Sequence, residues 1–209
     1  MKRHCFFLLT TLLIPMLVPA EEVVEGIAAV VTIDHRKSIR KVIFLSDLDR
    51  YRLFFETPTA IKTSSLDRLN HVINHVLLLS DAKRFILNGP TQASVMARFS
   101  LIKKRFKDTR SFHEAIEQTG MTVNVLKELL LEYLWVEQLI QERIKDFIFV
   151  GQRAVEDYYR KHPDDFSGRA FEEVEPVIRA ILIEEKRKIK QNEYLKRLVS
   201  KARIEIILK

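Results

Sequence analysis

One break constrains this chain more than any other feature: between Arg153 and Lys186 a helical pattern stops, turns within a few residues and starts again. Val155, Tyr158 and Tyr159 recur at three- to four-residue spacing, so they share one face of a short helix within Ala154 to Phe166. His162-Pro163 ends it, because the residue before a proline is pushed out of the α region, and Asp164-Asp165 then favours a turn. Only Ser167, Gly168, Arg169 and Ala170 follow before a second apolar stripe of Phe171, Val174, Ile178, Ile181 and Leu182. Glu172, Glu173 and Glu175 crowd its first turn, where negative charge suits the helix dipole. Pro176 would cost about 3 kcal/mol inside a helix but little in a first turn, which predicts a start near Glu172 or Glu173.

The N-terminus reads as an export signal. Lys2, Arg3 and His4 precede an apolar run from Phe6 to Val18, and Val18-Pro19-Ala20 stands before Glu21-Glu22, so cleavage is expected between Ala20 and Glu21, with membrane retention as the competing reading. The run is short of the about 20 residues that a membrane span needs, and Pro15 interrupts it. Export is therefore expected. Cys5 lies inside this leader and is the only cysteine, which leaves no disulfide, thiolate nucleophile or cysteine metal site in the remainder. The chain carries 35 Lys and Arg against 28 Asp and Glu, a formal charge of +7. Removing Lys2 and Arg3 with the leader leaves 33 against 28, or +5. A basic exported protein meets anionic lipid headgroups or non-native chains more readily than nucleic acid, so no nucleic-acid partner is expected, and transient contact with a membrane surface is.

From Glu21 to Lys209 the chain reads as one domain, long enough to bury a core. Ile27 to Ile33 and Val42 to Leu45 are β-rich runs around the polar segment Asp34 to Lys41, which predicts a hairpin with a long basic loop. Ser46 is placed to cap a helix that follows. Ser64-Ser65 caps a helix to about Leu87, stopped by Asn88-Gly89-Pro90. Thr91 opens an amphipathic helix to about Lys107, with Val95, Phe99, Ile102 and Phe106 on one stripe and Lys103, Lys104, Arg105 and Lys107 at its end. Ser111 and Glu114 have capping-box spacing ahead of Gly120. Val123 to about Phe149 has the broad apolar face of a central bundle helix. Glu184 to Lys188 is charged all round, so the last helix should stand partly free, supported by pairs such as Glu184 with Lys188. Ile204, Ile206 and Leu208 alternate in a closing strand, Ala202 to Leu208, placed to join the hairpin. The fold class expected is mainly α, with a small β-sheet made by the N-terminal hairpin and the C-terminal strand.

V-x-x-Y-Y-x-x-H-P-x-x-F over Val155 to Phe166, then F-x-E-V-x-P-x-I-R-x-x-L over Phe171 to Leu182, resembles the sequence flanking the parvulin-type isomerase in SurA-like periplasmic chaperones. Leu66-Asp67-Arg68-Leu69 with Leu77-Leu78-Leu79, and Ser111-Phe112 with Ala115-Ile116 and Gly120-Met121, resemble the same family in order and spacing. The isomerase module needs on the order of 100 residues, and four residues occupy its place. The resemblance therefore implies a helical chaperone domain, 21–166 completed by 171–209, without the isomerase. It implies no enzyme, and clients that are unfolded or extended polypeptides such as outer-membrane protein precursors. It also implies a tendency to exchange segments between copies, and thus a swapped homodimer. Competing readings are a dedicated assembly subunit for one envelope partner, a component working beside a separate prolyl isomerase, an isomerase with an unrecognised site, and a basic protein that binds membrane surface or nucleic acid.

Chemistry-bearing motifs are sparse. His71 and His75 sit at i,i+4, a spacing that can hold zinc, but no glutamate follows His71 as the metalloprotease motif requires. His113 and His162 stand alone, and adjacent acids such as Asp164 and Asp165 do not face each other. No phosphate loop or nucleophile elbow appears among five glycines. No metal, cofactor or catalytic residue is expected. What remains is apolar surface for non-native chains: Met96, Phe99, Ile102 and Phe106, with Phe54, Phe55, Met121 and Trp135 contributing. Stripes at helical spacing ordinarily pack inward, so core packing competes for each of them.

Overall fold

The computed structural model of the chain describes residues 25–34, 38–56, 63–144, 147–166 and 168–208. The expected export signal and cleavage site and the tip of the basic hairpin loop lie outside these residues. The fold is mainly helical with one small antiparallel sheet, as its sequence predicts.

Strand β1 (Ile27–Ile33) is central and β2 (Ile39–Phe44) its hairpin partner, while β3 (Ala202–Ile206) closes the other edge. Ile33 lies opposite Ile39 on one side and Ala202 on the other. Ala28, Ala29, Val30, Val31 and Ile33 are all buried, the near-continuous burial of a strand flanked on both edges. The hairpin loop is shorter than the sequence suggests, because pairing begins at Ile39 rather than Val42. Extended β-branched backbone continues the ladder through Arg40 and Lys41, whose charged ends remain in water.

Helix α1 (Leu45–Phe54) begins directly after β2, one residue before the expected cap. Ser46 is not the cap: its hydroxyl donates to the Glu25 carboxylate, and Asp47 accepts the Phe44 N–H at 2.9 Å instead. Ser64 and Asp67 form the capping box of α2 (Ser65–Phe85). This helix, rather than the one expected from Val123, holds the middle of the molecule, touching β1, β2, α1, α5 (Val123–Arg143) and α7 (Phe171–Val199). Leu69, Val72, Ile73 and Leu77 meet the sheet, while Leu78, Leu79 and Ala82 meet α5, so two sides of α2 are buried.

Thr91 caps α3 (Gln92–Lys103), which stops four residues early. Arg105 turns back and donates to the Phe54 and Glu56 carbonyls at 2.7 and 2.9 Å, satisfying the end of α1. Asp108, not a Ser111–Glu114 pair, caps α4 (Thr109–Gln118): Asp108 accepts from the Ser111 N–H at 2.8 Å, and Glu114 pairs with Arg110. Gly120 then takes φ +65°, the left-handed turn that ends the helix.

Helix α5 ends at Arg143, well short of Phe149. Beyond it Ile144 and Val150 turn inward, and the Phe149 and Val150 carbonyls accept from Lys186 and Arg179 at 2.9 and 2.7 Å, so α7 claims groups that a longer helix would have used. Helix α6 (Gln152–Lys161) and a 3₁₀ turn, Asp164–Phe166, precede α7, as the break in the sequence predicts. Gly168 turns the chain at φ +80°. Helix α7 starts at Phe171, so Pro176 lies in its second turn rather than its first. The carbonyl it orphans is that of the exposed Glu172, where the cost is smallest.

Val150, Val155, Phe166, Val174 and Ile178 make a satellite core. After Ile178 no residue of α7 is buried, yet the helix continues to Val199, where Tyr194, Leu195 and Leu198 rejoin the body. Its 29 residues span about 44 Å. Glu184 meets Arg187 at i,i+3 on the way, not Lys188.

Candidate functional site

Two concavities share one wall. A cleft of about 440 Å³ runs between α2, α5 and the unsupported stretch of α7, and a smaller pocket of about 240 Å³ lies between β2, α1, α2 and α5. The wall is a stack of three rings: the Tyr133 ring centre lies 3.6 Å from that of Phe55 and 3.9 Å from that of His75, nearly parallel to both. Helix spacing places it. His71, His75 and Leu78 recur at helical spacing along one face of α2, and Phe55 caps α1 where its ring meets Tyr133 of α5. Tyr51 stacks on His71 at 5.3 Å and extends the aromatic surface.

The wall is built to stay neutral. Burial pushes the His75 imidazole down to about 4, with Lys83 and Lys41 adding to the effect. His75 as a residue is half-buried, but its Nε2 is sealed and has no partner among the described residues. Burial likewise pushes the Tyr133 phenol up, with Tyr51 and Asp47 acting in the same direction. Leu78, Val136, Ile140 and Leu195 supply the apolar lining of the cleft, and Asn74, Gln191 and Asn192 supply amides. Such a surface can hold side chains by contact and main-chain amides by hydrogen bonds.

The candidate residues named from sequence are divided among different places. Phe54, Ile102 and Met121 are interior. Phe99 and Phe106 are half-buried, packed at 5.4 and 5.3 Å from the Phe112 ring, and Lys127 lies over Phe99. These five form the core beneath α3 and α4 rather than an open groove. Met96 is 41% exposed on the outer side of α3, and Trp135 is half-buried over Gly89. Phe55 alone reaches the cleft. Tyr133 and His75 were not singled out for this surface. Their signal was present, since an aromatic on the apolar side of α5 and a histidine at core spacing on α2 are what a ring stack requires.

His71 and His75 each stack on a tyrosine, and the described residues hold no group of three or more His, Cys, Asp and Glu placed to bind a metal. His113 stands edge-on to Phe112, and His162 Nδ1 lies 2.9 Å from the Tyr158 carbonyl. No helix among the described residues is long and apolar enough to cross a membrane. No protein-family model matches the chain, and no curated protein matches it.

Proposed function

We propose that this protein binds unfolded or extended polypeptides reversibly in the periplasm, as a chaperone-like domain and without catalysis. The observation that carries the reading is the cleft between α2, α5 and α7, which joins an aromatic wall, an apolar lining and side-chain amides within reach of one another. An extended segment offers alternating side chains and main-chain amides, and this surface has a partner for each. The likeness of the Val155–Phe166 and Phe171–Leu182 motifs to SurA-like chaperones supports the same client class, outer-membrane precursors included.

The test is light scattering of an outer-membrane β-barrel protein diluted from urea, with the purified protein at near-equal concentration. Suppression of scattering is expected, weakened by Asn192→Trp, which fills the mouth of the cleft, and unchanged by Met96→Ala outside it. Absence of suppression at several-fold excess would remove the reading. A dedicated assembly subunit is the second reading, favoured by Phe147 and Phe149, 79% and 80% exposed between α5 and α6. Recovery of one stoichiometric partner, lost on changing both to Ser, would select it.

A further inference from the structure

The polypeptide cleft leaves the opposite end of α2 unexplained. There α2, α5 and α7 all finish close together: Arg84 and Arg143 lie 4.7 and 5.1 Å from the centre of the Phe85 ring, and Arg197 lies 5.1 Å from the centre of Tyr194. Arg143 and Arg197 both act on the Tyr194 phenol, which places all of these groups in one neighbourhood. Arg84, Arg197 and Lys201 line an open cleft of about 510 Å³. Lys196 is exposed beside them on α7.

None of these five cations has a carboxylate partner among the described residues, whereas Arg50, Arg68, Arg98, Arg179 and Arg187 each do. Helix ends explain part of this. Arg84, Arg143 and Arg197 each stand in a last turn, but a helix C-terminus carries roughly half a negative charge and each arginine a whole positive one. Of the two acids in the cleft, Asp81 is buried and bound by Tyr194, and Asp34 sits at the mouth. A guanidinium held near a ring face keeps its planar fork of N–H donors, the geometry that suits oxygen anions. Two apolar side chains project from the same end: Phe85 is 39% exposed and Leu87, just past the helix, is 96% exposed.

We infer that this end of the molecule docks on an anionic phospholipid surface, with Arg84, Arg143, Lys196, Arg197 and Lys201 meeting headgroup phosphates while Phe85 and Leu87 enter the interface. Basic side chains around exposed apolar ones are the pairing that such a surface selects, and charge alone would not call for Leu87. This surface is separate from the polypeptide cleft, so either assignment can fail without the other.

The test is sedimentation of the chain from Glu21 onward with vesicles of phosphatidylcholine alone or with a third phosphatidylglycerol, compared with Arg84→Gln/Arg197→Gln and with Leu87→Ser. The expected leader is left out because its apolar run would itself bind vesicles. The expected result is preference for the anionic vesicles that falls with added salt, an affinity reduced roughly 30-fold in the double variant with an unchanged melting midpoint, and a further loss in Leu87→Ser that salt does not mask. Equal binding of wild type and double variant would overturn the inference. So would saturable binding of soluble glycerol phosphate without vesicle association, which would make the cleft a small-molecule site, or a charge-dependent self-association that accounts for all of the sedimentation.

Discussion

Tyr194 of α7 donates its phenolic hydrogen to the buried Asp81 carboxylate of α2 at 2.5 Å, joining residues 113 positions apart. This bond fixes the point where the long helix returns to the body. Tyr194→Phe leaves a buried carboxylate without its donor and should cost about 2–3 kcal/mol in urea unfolding. Adding Asp81→Leu to that variant should return part of the loss, because no acceptor is then stranded. Burial and Asp81 both push the phenol pKa up, so the stability it contributes is complete below about pH 10 and is lost as pH rises beyond.

His75 makes the protein acid-sensitive. Its imidazole ionises at about 4 in the fold and near 6.5 when unfolded, so the unfolded chain binds the extra proton between those values. Stability is therefore full above about pH 6.5 and declines as pH falls to about 4, by on the order of 3 kcal/mol. Thermal melts across that window should show the slope in the wild type and a flatter profile in His75→Phe, which keeps a ring against Tyr133. The Asp67 and Asp108 caps, held below the ordinary carboxylate range by Ser64 and Ser111, act at lower pH.

Gly89 is required by its neighbour. A Cβ built there would penetrate the Trp135 indole, so Gly89→Ala forces the ring or the α2–α3 connection to move. The expected cost is about 1–3 kcal/mol by chemical denaturation. Combining it with Trp135→Leu should cost less than the two separate losses added together.

Arg179 holds the satellite core in place. It donates to the Val150 carbonyl, to Gln152 and to Glu175, each at 2.7 Å. Arg179→Met should weaken this lobe by on the order of 1–2 kcal/mol. Hydrogen exchange should then accelerate at Val155 and Ile178 while Leu77 and Leu130 keep their protection.

The elements that local chemistry specifies were legible before the fold was known. Thr91, Ser64, Gly120 and the His162-Pro163 break each act within a few residues, and each stands where spacing put it. The closing strand was legible too, since alternation in Ile204 and Ile206 needs a partner edge and the hairpin offered the only one. The misplaced boundaries answer to distant groups. The end of α5 depends on Arg179 and Lys186 claiming carbonyls from α7, and the cap of α1 depends on Glu25 drawing Ser46 away. The site was harder for the same reason. Phe99 and Phe106 have the periodicity of a surface groove and of a core alike, and only the arrival of Phe112 from α4 decides between them. The Phe55, Tyr133 and His75 stack joins three helices, and no window of sequence contains it.

The place of β1 in the sheet has a consequence for the order of assembly. Its partner on one edge, β2, follows it within a few residues, but its partner on the other, β3, follows only after α1 to α7. A nascent chain growing from its N-terminus therefore carries Ala29, Val31 and Ile33 with one ladder open until Ala202 to Ile206 arrive. A chain lacking Ala202 to Ile206 would therefore have every described helix and a sheet with one edge of β1 unfinished.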